Sequence, residues 1–235
     1  MLRKIIKGFG ILLGLLIIGF VVLYAVYNEK LPEGRLGPDA DALAQKMLNS
    51  LNHQKFKDTR YLEWSFQGGA HHYKWDKEKR TVEVSWDDYL VELDLISTAS
   101  SVAKKGGERM MDMESKPIIE QAVAYFNNDS FWLVAPYKVF DDGVQRSVVP
   151  LPDGTDGLLV TYTKGGTTPG DSYLWMLQPN GFPKSFKMWV DIIPIGGIEA
   201  TWDDWAVMES GAFLPKTHQL GPVTLSMGDV RGYNE

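Results

Sequence analysis

The 235-residue chain is 44% hydrophobic and 12% aromatic, carries a net charge of −6 and contains no cysteine. That composition supplies a sizeable core and excludes disulfides, a lipid-modified cysteine, thiol catalysis and cysteine-based zinc sites. Arg3, Lys4, Lys7 and Lys30 against Glu29 leave residues 1–30 at +3 and the remainder at −9, so there is no basic footprint for nucleic acid.

Between Gly8 and Asn28 no residue is charged, and the run is almost wholly apolar. About 20 such residues, at roughly 1.5 Å each, match a hydrocarbon core of about 30 Å. Arg3, Lys4 and Lys7 precede the run, which places the N-terminus in the cytoplasm. Tyr24 and Tyr27 fall where an outer interfacial belt would lie. A cleaved signal peptide is the competing reading, but Tyr-Ala-Val-Tyr-Asn supplies no small-x-small site. Residues 1–30 are therefore expected to be a single-pass transmembrane signal anchor, with the rest of the chain on the extracytoplasmic (periplasmic) side. Gly10 and Gly14 have the GxxxG spacing through which two such helices can pack as a weak homodimer.

A Pro- and Gly-bearing linker, 31–38, leads into one domain, 39–235. Asp39 or Asp41 can cap a helix running to Leu51, with Leu43, Met47 and Leu51 on one face. Period-2 alternation then predicts strands through Leu62, Trp64 and Phe66, through His71, Tyr73 and Trp75, through Val82, Val84 and Trp86, and through Tyr89 to Leu95. The stretch 97–115 is small, polar and glycine-broken, and reads as a long functional connection. Ser115 is expected to cap a helix over 116–126, stopped by Asn127-Asn128. Phe131–Val134, apolar on both faces, reads as a covered strand. An aromatic meander over Gly157–Val207 organises the chain. Tyr173, Trp175 and Leu177 run into the Pro179-Asn180-Gly181 turn, and Phe186, Met188 and Val190 return from it. Val223, Leu225 and Met227 form a closing strand.

This order of elements resembles the LolA/LolB-like lipoprotein-carrier superfamily. Asp129-Ser130-Phe131-Trp132-Leu133-Val134 resembles its strand after a helix, Asn180-Gly181-Phe182-Pro183-Lys184 its hairpin, and Trp202 to Pro215 its close. The resemblance implies a mainly β fold with a few helices: a curved antiparallel sheet, or half-open β-barrel, covered by helices and preceded by one transmembrane helix. It also implies an acyl or lipoprotein-type ligand on the concave face.

Trp64, Phe66, Trp75, Trp86, Tyr173, Trp175, Phe186 and Trp202 are the candidate ligand-binding rings. Two readings stand side by side: ordinary core filling, which would make the domain a structural or interaction module, or the lining of an apolar cavity. Met110, Met111, Met113, Ile119, Val123 and Phe126 are the candidate lid. Gly170-Asp171-Ser172 looks like the Gly-Asp-Ser block of lipase/esterase-type serine hydrolases. But Ser172 enters a strand, and Pro215 stands three before His218 where an acid is needed. Hydrolysis through Ser172 is thus the remote alternative to a non-enzymatic protein. His71 and His72 point to opposite faces of their strand, and the acidic pairs are too short for calcium loops, so no metal and no cofactor are expected.

Overall fold

The computed structural model describes residues 2–164 and 169–235, so residues 165–168 of the expected meander lie outside the described residues. A first helix, α1, fills Leu2–Tyr27. Its described side chains are exposed and apolar nearly throughout, from Phe9 to Tyr27. Among the described residues no helix is long and apolar enough to cross a membrane. The side chains at 1–8, 11 and 20, on which the anchor expectation partly rests, lie outside them.

The linker is docked along a strand: Arg35 forms an antiparallel bridge with Val148. Helix α2 (Pro38–Ser50) and the short α3 (His53–Asp58) follow, and α2 buries Ala40, Ala44, Met47 and Leu48. Strands β1 (Tyr61–Phe66), β2 (His71–Asp76), β3 (Thr81–Trp86) and β4 (Tyr89–Asp94) arise where the alternation predicts them. One face of β1 is buried and the other half-solvated, which is what a period of two records.

Three expectations are corrected. The stretch 97–115 is not structureless: β5 (Val102–Lys105) and β6 (Glu108–Arg109) form a hairpin on the edge of the sheet. The next helix, α4, runs through Asp112–Val134 and absorbs both the expected Asn127-Asn128 stop and the expected Phe131–Val134 strand. Ser115 lies inside this helix, bonding the Asp112 carbonyl, and does not cap it. A helix that is apolar all round is a buried one, and the end of α4 is enclosed: Leu133 and Val134 are 0% and 2% exposed.

The third correction concerns the sheet. There are two antiparallel sheets rather than one curved sheet, and neither closes into a barrel. The chain leaves the first sheet through α4, not through a hairpin, and starts a second with β7 (Val144–Pro150) and β8 (Asp156–Tyr162). It continues through β9 (Ser172–Leu177), β10 (Pro183–Trp189), β11 (Ile198–Thr201), β12 (Asp204–Val207), β13 (Phe213–Leu220) and β14 (Val223–Ser226). The closing strand is β15 (Arg231–Tyr233), which returns to pair with β1. The first sheet is ordered β15-β1-β2-β3-β4-β5-β6 and the second β12-β13-β11-β10-β9-β8-β7, with β14 beside β13. The sheets meet at Met227, whose N–H donates to Lys216 O at 2.8 Å and whose carbonyl accepts from Ser65 N–H at 3.0 Å.

Helix α4 binds both sheets. Phe126 packs edge-on to Trp75 of the first sheet at 5.2 Å. Phe131 meets Tyr173 of the second at 4.5 Å, and Trp132 meets Phe186 at 5.6 Å. At the β9–β10 turn Gly181 has φ +94°, and a Cβ there would come within 2.8 Å of the Lys46 carbonyl. The turn can lie this close to α2 only as glycine.

Candidate functional site

A cavity lies between the second half of α4 and both sheets, with a volume of about 630 Å³, inside the range of about 300–1,000 Å³ usual for small-molecule sites. Phe126, Phe131 and Trp132 reach it from α4, Trp75 from β2, and Tyr162, Tyr173 and Met188 from the second sheet. Its mouth carries Lys138, Asp141, Asp142 and Lys164. Lys164 pairs with Asp142 at 2.8 Å, and Lys138 pairs with Asp141. The charges at the rim therefore cancel, and the wall behind them is mainly apolar, with Asn127, Asn128, Ser130 and the buried Asp171 also lining it.

Two donors in that wall are unsatisfied. The Tyr162 hydroxyl and the Trp75 indole N–H are buried without a hydrogen-bond partner among the described residues. Burial, then the nearby Asp141, drives the Tyr162 pKa far up, so its proton stays in place as a donor. An unmade bond at such a group costs about 1–3 kcal/mol. The Tyr173 hydroxyl, pushed up by burial and then by Asp171, is held by that carboxylate instead.

The candidate ligand-binding rings divide. Trp75 and Tyr173 line the cavity. Trp175, Phe186 and Trp202 interlock beside it at 4.9–5.6 Å and are fully buried. Trp64 stacks on Tyr73 at 4.5 Å, and Phe66 and Trp86 are enclosed in the same core. Of the lid candidates, Phe126 lines the cavity, Ile119 and Val123 are half-buried against the core, and Met110 joins them. Met111 and Met113 are 77% and 93% exposed, and neither lines the cavity.

Sequence reasoning missed a buried polar cluster at the middle of α4. Asp129 is 1% exposed. One carboxylate oxygen accepts from the Tyr73 hydroxyl at 2.5 Å and lies 2.7 Å from His71 Nδ1; the other accepts from Asn128 Nδ2 at 2.8 Å. Tyr125 stacks on His71 at 3.9 Å. Burial and then Asp129 raise the Tyr73 pKa strongly. The signal was there to be used: one acid within an apolar helical run needs a partner, and His71 opens a neighbouring strand. His72, the other half of the pair, is exposed. Among the described residues no three His, Asp or Glu side chains gather as metal ligands would.

Ser172 and His218 are engaged separately. The Ser172 hydroxyl pairs with Thr161 Oγ1 at 2.9 Å and approaches Gly170 O at 3.3 Å. His218 Nδ1 lies 2.8 Å from Thr201 O and Nε2 lies 2.7 Å from Trp132 O, between the rings of Trp132 and Trp202. A neutral imidazole donates to only one of two carbonyls. Even so, burial pulls the His218 pKa below 6.5, against the opposing pull of those carbonyls and of Asp203 and Asp204. The unfolded chain therefore binds the proton first, and stability contributed by this group is present above about 6.5 and lost as pH falls below it. NMR titration of the His218 ring is expected to show a midpoint under 6.5. A midpoint at or above that value would mean that the two carbonyls outweigh burial.

Comparison with protein-family models and with curated proteins finds no match to this chain.

Proposed function

We propose that this chain is a bilayer-anchored, non-enzymatic envelope protein that holds an acyl chain or similar lipophilic group in the α4 cavity. The apolar cavity is the observation that carries the reading. The resemblance to the LolA/LolB-like carriers points the same way, through an antiparallel fold with a helix over an aromatic concavity, here built from two sheets. Each methylene buried there would contribute about 0.8 kcal/mol, with little dependence on salt. The unpartnered Tyr162 hydroxyl and Trp75 N–H are enclosed within the wall itself, so the ligand this cavity suits is held by apolar contact and not by those donors. The anchor itself is supported by the uncharged run from Gly8 to Asn28 and the basic residues before it.

The test uses the full chain in lipid nanodiscs with a photoactivatable fatty-acid methyl ester. Adducts are expected on Phe131, Tyr173 and Met188. Tyr162→Phe, which keeps the apolar ring and removes only an enclosed unsatisfied donor, should leave their yield unchanged and raise the melting midpoint. Adducts confined to residues 8–28 would mean that the ester meets only the anchor. The domain would then be an interaction module with an unused cavity.

A further inference from the structure

The chain that leaves α1 is pinned to the cavity's own lip. Asn28 and Glu29 directly follow the helix, and both bind the loop 190–197 that joins β10 to β11. Gly196 N–H donates to Asn28 Oδ1 at 2.9 Å, and Glu29 N–H donates to Gly196 O at 3.0 Å. Trp189 Nε1 donates to Glu29 O at 2.8 Å, and Lys187 Nζ holds the Glu29 carboxylate at 2.6 Å. The approach is close: a Cβ at Gly196 would lie 2.8 Å from Glu29 O and 2.4 Å from the Trp189 ring. The same loop lines the cavity through Val190, Ile192 and Ile193. Ile192 is nonetheless 71% exposed, an apolar side chain at the cavity's edge with solvent on its outer side.

Resting on the anchored-carrier reading, we propose that this loop is a membrane-contact surface. Ile192 inserts into the headgroup region of the bilayer that holds α1, and the cavity mouth opens onto that bilayer. The geometry leaves little freedom. Asn28 is one residue, about 3.8 Å, past the end of α1, so a loop hydrogen-bonded to Asn28 and Glu29 sits where the chain emerges. Trp189, whose Nε1 donates to Glu29 O, sits beside that exit, and Tyr24 and Tyr27 lie in the last turn of α1; Trp and Tyr are the residue types that favour the interface. The rim charges cancel in pairs, so contact needs no anionic lipid. A lipid chain would then enter from the membrane past Val190 and Ile193 without crossing water.

Because the chain has no cysteine, Ile192→Cys accepts a single environment-sensitive fluorophore, and Val207→Cys, 63% exposed on β12, serves as the control. In nanodiscs of zwitterionic lipid carrying a shallow nitroxide, the label at 192 is expected to lose about half its emission, because interfacial apolar groups sit about 5–10 Å into the headgroup region. The label at 207 should lose almost none. Equal quenching at the two positions, strong or weak, overturns the membrane contact. The ester adducts on the same nanodiscs separate the two ideas. Adducts on Tyr173 without quenching at 192 leave the carrier and remove the membrane-facing mouth. Quenching without adducts leaves the contact and removes the carrier.

Discussion

Asp129→Ala is expected to lower the free energy of unfolding by about 2–6 kcal/mol, since each of two buried groups left without its hydrogen-bond partner costs about 1–3 kcal/mol. Whole domains are stable by only about 5–15 kcal/mol, so the variant should sit at the edge of folding. Among the described residues the carboxylate is the one acceptor that the Tyr73 hydroxyl and His71 Nδ1 share, and both are buried with it. Removing it strands two donors at once. It also removes the polar tie between α4 and β2, and α4 is one wall of the cavity. Tyr73→Phe removes one donor together with its bond and should cost nearer 1 kcal/mol. Urea unfolding at neutral pH reads both. A loss below about 1 kcal/mol for Asp129→Ala would mean that water reaches the site and satisfies the donors.

The first four strands were legible because a half-buried strand writes its two faces into the sequence. In β1 the enclosed Leu62, Trp64 and Phe66 alternate with the less buried Tyr61, Glu63 and Ser65. The β5–β6 hairpin was not legible for the same reason in reverse. Only the small Ala103 of this edge hairpin is buried against the core, and Lys104, Lys105, Glu108 and Arg109 show no apolar alternation. Gly106 and Gly107, both at positive φ, were the signal that marked its turn. Phe131–Val134 misled because a helix between two sheets is apolar all round, and four residues are too few to separate a period of 3.6 from a buried strand. Of the cavity, the aromatic supply was visible and its partition was not. Lys138, Tyr162 with Lys164 at the end of β8, and Ile192 come together from three separate segments, and no local pattern reports that meeting.

That partition is what Trp202→Ala tests. Trp202 is fully buried among Trp132, Trp175, Phe186 and His218, with the nearest ring centroid at 4.4 Å. Truncating a ring of this kind leaves a void that the interlocked neighbours cannot close, at a cost of about 3–5 kcal/mol. Its indole N–H has no partner among the described residues. Trp202→Phe keeps much of the volume and removes that donor, so it should cost less than half as much as the alanine. As a core residue that does not line the cavity, Trp202 should leave ester adducts on Tyr173 unchanged at temperatures where the alanine variant is folded. Tyr173→Ala, which opens the cavity wall itself, should redistribute them. If Trp202→Ala instead abolishes the adducts while the protein remains folded, the ligand reaches deeper than the cavity wall, and the rings that interlock behind it belong to the binding site.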